Sequence, residues 1–176
     1  LPSIETLREI RFDGVPQFTA AGAAHLAKMT SLESLHLSWM IVDVTDETLA
    51  DTILRIVSKN TNLTHLALSN SGVTDEGLAS FDENRRLTAL HIGEEPKLTE
   101  AALDSISKHI GLKSLRLGIR PYLSISNDQL TPLRELDSLQ LGERQRFSPE
   151  ILKSFPKLAS MTLSGEVFDF ALAREI

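Results

Sequence analysis

The chain has 176 residues, a formal net charge of −6, a pI near 5.4 and no cysteine. The acidic balance argues against a general nucleic-acid binder, because phosphate binding needs a net basic face, and the lack of cysteine excludes disulfides and thiolate metal sites. We expect no membrane span, since no run of about 18 apolar residues occurs, and a cytoplasmic location is favoured because the first residues carry charges and do not resemble a signal peptide.

A repeated pattern of apolar residues, L-x-x-L-x-L, organises the chain. Alternation within each copy predicts a short strand, and the residues after it predict a turn and a helix start. A unit of this size cannot bury its apolar face alone, so the copies must stack on one another. The seven copies begin at Leu7, Leu32, Leu63, Leu87, Leu112, Leu136 and Leu158.

The first two copies differ mainly in the length of their helices. The first predicts a strand that contains Phe12 and then an alanine-rich helix capped by Thr19. The second predicts a strand that contains Leu35 and then a longer helix that opens at residues 45–47.

Residues 63–81 are the third copy and the clearest unit. Its alternate leucines predict a strand, after which Thr74 can act as a helix N-cap. Leu78 and Phe81, three residues apart, give the helix one apolar face. Gly77 permits close packing at the start of this helix.

The last four copies repeat the unit with changes in its loops. The fourth opens its helix at Thr99, and the fifth has a longer loop at residues 118–125 before an N-cap at Ser126. In the sixth, Ser148 is followed by proline at the first helical position. The seventh ends in a short apolar tail. Strand–turn–helix units in tandem predict an α/β fold in which a curved parallel sheet carries helices on its convex side. With no linker present, we predict one domain over residues 1–176.

The seven copies resemble the repeats of leucine-rich repeat proteins. Two hexapeptides add to the resemblance: V-T-D-E-T-L at residues 44–49 and V-T-D-E-G-L at residues 73–78. The two hexapeptides are most similar to the cysteine-containing and bacterial, planctomycete-like subclasses. The resemblance implies a solenoid of about seven repeats that acts as a recognition scaffold, without catalysis or a cofactor of its own.

One position departs from that family. Its members place asparagine or cysteine after the strand, where the side chain ties neighbouring loops together. Neither residue type occurs at the matching positions, which suggests looser and less regular turns. These positions hold Val15, Met40, Ser71, Glu95, Arg120, Arg144 and Glu166.

Residues between the strand leucines should face the open, concave side of the sheet. Trp39 follows a strand directly, and an exposed tryptophan there can anchor an interface, although it can also pack on the loop at residues 40–44. His36, His65 and His91 lie on consecutive strands, with His65 and His91 as expected neighbours. A solvated polar face explains them most simply, but a zinc site completed by Glu94 and a pH-sensitive contact stay open. The predicted partner-binding residues are Arg11, His36, Trp39, His65, His91, Glu94 and Arg116.

The pattern therefore predicts a non-catalytic scaffold that binds another protein through the concave face and the adjacent rim loops, with no nucleic acid, membrane or cofactor. Two alternatives remain. The apolar residues Phe168, Phe170 and Ile176 favour a structural module that associates end to end, and the concave histidines leave open a metal-dependent enzyme. We also expect the chain to be a fragment or one domain of a longer protein, because its terminal repeats lack the polar outer edge that a solenoid needs at its ends.

Overall fold

The computed structural model describes residues 6–14, 22, 25–39, 49–118, 124–125, 127–142, 146–147 and 149–164. Seven strands form one parallel sheet in the order in which they occur along the chain, and two short strands form a second parallel sheet. The predicted curved parallel sheet with about seven repeats is therefore confirmed. The large sheet contains β1 (Glu9–Asp13), β2 (Ser34–Ser38), β3 (His65–Ser69), β4 (Ala89–Ile92), β5 (Ser114–Leu117), β7 (Ser138–Leu141) and β9 (Ser160–Leu163), and the small one contains β6 (Ser124–Ile125) and β8 (Arg146–Phe147).

Short helices connect the strands and pack on one another in chain order. The predicted N-cap is confirmed in the third repeat, where the Gly77 amide donates to the Thr74 hydroxyl oxygen at 3.3 Å. The sixth repeat carries a 3-10 helix at Pro149–Ser154 in place of a full α-helix. The α-helices are α1 (Leu49–Val57), α2 (Asp75–Ala79), α3 (Ala101–Ser107) and α4 (Asn127–Leu130).

The register between strands places equivalent residues of every repeat side by side. The strand leucines pair with one another across the sheet, and those from β2 to β7 are almost fully buried. Phe81 and Leu78 of the third repeat are also buried, as the helical spacing predicts. Burial of each such side chain contributes roughly 1.5–3 kcal/mol, so the leucine stack supplies most of the driving force for the fold.

A buried carboxylate joins the turns of the third and fourth repeats. Glu95 accepts hydrogen bonds at Oε1 from the Ser71 amide (2.9 Å) and hydroxyl (2.8 Å), and at Oε2 from the Gly72 amide (3.0 Å). The prediction of looser turns is wrong at this junction, because a glutamate reaches back one repeat and accepts several donors at once. Most of the other positions at which the family places asparagine or cysteine lie outside the described residues. These are Val15, Met40, Arg120, Arg144 and Glu166.

Aspartates make a second set of ties between repeats. Asp51 accepts from the Thr74 amide (2.9 Å) and hydroxyl (2.7 Å), and Asp75 accepts from the amide (2.9 Å) and hydroxyl (2.5 Å) of Thr99. A Cβ atom on Gly77 would lie 1.9 Å from Asp51 Oδ1, so only glycine fits there. This steric requirement confirms the close packing predicted for Gly77.

A third set of ties precedes the strands. The Asn60 side-chain amide donates to the carbonyls of Met29 (2.8 Å) and Leu32 (3.1 Å), and the Asn84 side chain donates to the Leu63 carbonyl (3.3 Å). The bond from Asn60 to Met29 crosses into the preceding repeat, and the other two join the end of a repeat to the leucine with which that repeat begins. Asparagine thus does tie neighbouring loops in this chain, on the side of the strand opposite to the predicted one.

Several predicted features fall on residues that the structure does not describe. These are the helix start at residues 45–47, most of the loop at residues 118–125, and the residues Thr19, Ser126, Ser148, Phe168, Phe170 and Ile176. Within the described ranges, no helix combines the length and the apolar character that crossing a bilayer requires.

Candidate functional site

The middle positions of the seven strands form one continuous row across the open face of the sheet, which we call the central row. It runs Arg11, His36, Ala67, His91, Arg116, Gln140 and Thr162, each in register with the next. Four of its members, Arg11, His36, His91 and Arg116, are among the partner-binding residues predicted from the sequence. The central row contains no carboxylate, although the whole chain carries a net charge of −6.

A depression lies in the central row where one side chain is much smaller than its neighbours. Ala67 lies between His36 on β2 and His91 on β4, and His65 precedes it by two residues on β3. We call this depression the histidine notch: Ala67 and Ala89 form its floor, and its walls are His36, His65, His91 and Arg116. It belongs to an open cavity of about 270 Å³ on the sheet face.

Hydrogen bonds determine which nitrogen of His65 carries its proton. The Thr64 hydroxyl donates to the Glu33 carbonyl at 3.1 Å and lies 2.7 Å from His65 Nδ1. Because that hydroxyl has a single hydrogen, His65 Nδ1 must be the donor to it. The neutral His65 ring therefore has its acceptor at Nε2.

His91 is the most perturbed group of the notch. Burial, together with smaller effects of the positive charges of Arg116 and His36, lowers the pKa of His91 from the usual 6.5 to about 4. His91 is therefore neutral at pH 7.

Arg11 and Glu94 lie at the margins of this arrangement. Arg11 lines the same cavity on β1, but its Nε contacts Glu9 Oε1 of the same strand at 2.5 Å, and both side chains are exposed. Glu94 is exposed and lines a second cavity, at the ends of the strands.

That second cavity, which we call the rim cavity, has a volume of about 480 Å³. Its floor is flat because Gly93, Gly118 and Gly142 follow their strands in successive repeats. A Cβ on Gly142 would lie 2.9 Å from the Gly118 Cα, so these backbones approach too closely for larger residues. His91, Arg116 and Gln140 line both cavities, which makes the notch and the rim one continuous surface.

Trp39 stands at the edge of the rim cavity with 57% of its surface exposed. The exposure predicted for it is confirmed. Its backbone adopts φ +52°, in the left-handed region, as do Gly14 (+60°) and Asn70 (+48°) at the same position of the neighbouring repeats. Glycine and asparagine tolerate this conformation, whereas tryptophan does so at a cost in stability.

The zinc site that the sequence left open is not assembled among the described residues. His65 and His91 are diagonal rather than direct neighbours, because His65 pairs with Ala89 and His91 pairs with Ala67. Glu94 lines the rim cavity, away from His65. No group of three or more metal-ligating side chains occurs in the part of the chain that the structure describes.

The structure also adds residues that the sequence did not single out as functional. Ala67 stands between two strand leucines in the sequence, but an alanine there gives no sign of a binding site until its neighbours His36 and His91 are known. The sequence likewise did not mark the glycines of the rim cavity, Gly93, Gly118 and Gly142, because their role depends on how closely the backbones of neighbouring repeats approach.

Comparison with known proteins gives a consistent result. A family model described as leucine-rich repeat matches residues 59–81, which include the third repeat. No curated protein matches the chain. Solved structures with a similar fold include internalin C2 of Listeria monocytogenes, with 21% identity and a TM-score of 0.60 over 89% of this chain and 61% of that one.

Two further structures extend the comparison. Internalin F of the same organism has 18% identity and a TM-score of 0.58, and the match covers 96% of this chain and 51% of the internalin. TLR13, in a complex with ssRNA13, has 20% identity and a TM-score of 0.68, with 93% of this chain and 23% of TLR13 covered. The chain thus spans 61% or less of each of these proteins.

Proposed function

We propose that this chain, which has the leucine-rich repeat fold, is a non-catalytic scaffold that binds another protein through its concave sheet face and the adjacent rim. The observation that carries the proposal is the continuity of the notch and the rim cavity through His91, Arg116 and Gln140. A surface that crosses several strands offers an extended polypeptide more contacts than an isolated pocket would.

The hydrogen-bonded ties between repeats support this function. Side chains from Asp51, Asp75 and Glu95 each accept two or three hydrogen bonds from the next or the preceding repeat. The strands that present the central row are thereby fixed before a partner arrives. Binding then orders little backbone in the scaffold, which favours affinity.

Trp39 supplies the aromatic anchor that such a surface needs. Tryptophan and arginine are enriched among the residues that dominate binding energy, and both Trp39 and Arg116 line the rim cavity. The remaining predicted contacts, Arg11, His36, His65 and Glu94, surround these two anchors.

A capture experiment tests this function. The bait is the wild-type chain, and the test variant combines Trp39→Asn, His65→Ala and Arg116→Gln. A control variant combines Lys97→Ala, Arg134→Gln and Lys153→Ala, three exposed residues that line neither cavity. We expect one protein from a lysate of the source organism to bind wild type and control but not the folded test variant.

Treating half of each lysate with ribonuclease separates protein recognition from capture through RNA. This arm matters because one structure of the same fold is a complex with single-stranded RNA. Capture that survives the nuclease supports a protein partner. Equal capture by wild type and test variant would contradict the proposed surface.

End-to-end self-association is the second candidate function. Apolar residues of the two edge strands, Phe12 on β1 and Leu163 on β9, are only partly buried within the described chain. Light scattering at high protein concentration tests this alternative, since a monomer would argue against it. A metal-dependent enzyme is the least supported candidate, and metal analysis of the purified protein tests it.

A further inference from the structure

We propose that the histidine notch binds an acidic side chain of the protein partner, with Arg116 as the permanent cation and the imidazoles of His36 and His91 as hydrogen-bond donors. This inference rests on the proposed recognition function and specifies the chemistry of the segment that occupies the concave face. The occupant to which we commit is an acidic peptide segment.

The shape of the notch provides the first argument. Ala67 is the smallest residue of the central row, and it is surrounded on three sides by His36, His65 and His91. Ala89 continues the same low floor toward β5. A carboxylate or phosphate group that descends to Ala67 would therefore lie beside imidazole side chains from three different strands at once.

The charges that face the notch provide the second argument. Each adjoining strand contributes a cation or a titratable donor: Arg11 on β1, His36 on β2, His65 on β3, His91 on β4 and Arg116 on β5. The carboxylate that lines this cavity is Glu9, and it is engaged with Arg11 at the edge of the sheet. Near His91 and Arg116, Glu94 lies in the rim cavity. The centre of the notch is thus positive within a chain whose net charge is −6.

The protonation state of His91 gives the site a measurable signature. Its pKa of about 4 in the free protein reflects burial and two cationic neighbours, so an anion beside it removes part of the penalty for protonation. If the bound state restores the ordinary value of about 6.5, linkage predicts about fourfold tighter binding at pH 6 than at pH 7.5 from His91 alone. Glutamate stays ionised over this range.

Fluorescence anisotropy with short labelled peptides tests the inference. The probes are a peptide of alternating glutamate and glycine, the same peptide with glutamine, and one with phosphoserine. We expect the glutamate peptide to bind more tightly at pH 6 than at pH 7.5 and the glutamine peptide not to bind. The phosphoserine peptide is compared with the glutamate peptide at pH 7.5, because its phosphate takes up a proton at about pH 6. Stronger binding of phosphoserine than of glutamate would identify phosphate as the preferred acidic group.

Variants locate the binding in the notch. Ala67→Leu fills the floor without changing any charge, whereas Ala67→Ser keeps it small. We expect Ala67→Leu and Arg116→Gln each to weaken acidic-peptide binding by about tenfold or more, since a charge-assisted hydrogen bond is lost or blocked. Ala67→Ser and the charge-matched Arg134→Gln, which lies outside both cavities, should bind within about twofold of wild type. Circular dichroism verifies that each variant is folded.

Three results would overturn the inference. The first is unchanged affinity in Ala67→Leu, which would place the peptide elsewhere. The second is equal binding of the glutamine peptide, and the third is tight binding of a single-stranded oligouridylate that Ala67→Leu does not affect. If the capture experiment succeeds while acidic peptides fail to bind, the proposed protein recognition is supported and the proposed specificity for acidic side chains is refuted.

Discussion

At the scale of single residues, Trp39 combines two unfavourable properties. Its side chain is largely exposed, so this large apolar group contributes little hydrophobic stabilisation. Its φ of +52° lies in the left-handed region, which residues with a Cβ atom disfavour. A strained backbone of this kind costs on the order of 1 kcal/mol and clusters at functional positions. Gly14 and Asn70 occupy the same turn in the flanking repeats without that cost.

The substitution Trp39→Asn separates binding from folding. Asn70 shows that asparagine fits this turn, so the variant should match wild type in stability or exceed it by up to about 1 kcal/mol. Partner affinity should fall by about tenfold or more, because an aromatic anchor is removed. Urea unfolding and a binding titration measure the two effects. A clear loss of stability with unchanged affinity would assign Trp39 to local packing.

His91 makes stability depend on pH. Its pKa is about 4 in the folded protein and about 6.5 in an unfolded chain, so the unfolded chain binds the proton first as the pH falls. Stability is therefore lost as the pH drops from about 6.5 to 4. Burial also lowers the pKa of His109, which acts in the same direction, whereas burial raises the pKa of Glu95, which acts in the opposite direction.

The substitution His91→Gln isolates this contribution. Between pH 7 and pH 5, wild type should lose about 1 kcal/mol more stability than the variant, a value that allows for solvent screening of the partly exposed ring. Urea midpoints at the two pH values provide the measurement. Identical pH dependence in both proteins would show that His91 is not held neutral by the fold.

At the scale of elements, the turns after the strands depend on side chains that reach into the neighbouring repeat. Glu95 is fully buried and accepts from Ser71 and Gly72, so its removal would leave amides without partners inside the protein. Hydrogen bonds of this kind matter chiefly through the penalty for leaving a buried group unsatisfied. They tie the third and fourth repeats together at a junction that lacks the family's usual asparagine or cysteine.

The substitution Glu95→Ala should destabilise the protein by about 2–4 kcal/mol, because two backbone donors and one hydroxyl lose their acceptor. Glu83→Ala is the matched control: this side chain is exposed and makes only a long ion pair with Arg85, at 3.8 Å. The control should change stability by less than about 0.5 kcal/mol. Urea unfolding of both variants measures the difference, and equal stability of the two would refute the bridging role of Glu95.

Sequence reasoning predicted the N-cap of the third repeat but not these bridges. Thr74 was identifiable as an N-cap because the residue type and its position before an apolar helix suffice. The hydrogen bonds that Asp51 accepts from Thr74 could not be predicted in this way, because Asp51 lies on the preceding helix, about one repeat away. Such contacts depend on how far one repeat is offset from the next, which residue spacing alone does not determine.

At the scale of the whole molecule, periodicity determined the architecture. Seven copies of one leucine pattern predicted seven parallel strands, with the residues between the leucines on the concave face, because the register of stacked repeats follows directly from their alignment. The candidate site was predicted only in part. Large polar residues such as His36 and Arg116 were recognisable, whereas the depression over Ala67 appears only when three strands are placed side by side.

The composition of the notch has a consequence for how such a chain can change its ligand over evolutionary time. His36, Ala67, His91 and Arg116 each come from a different repeat, and every repeat pairs with its neighbours in the same register. Loss of the third repeat through unequal recombination would bring His36 directly beside His91 and erase the depression in one genetic event. Specificity in this architecture is therefore inherited in whole repeats, so the gain or loss of a repeat reshapes the recognition face more than a point substitution does.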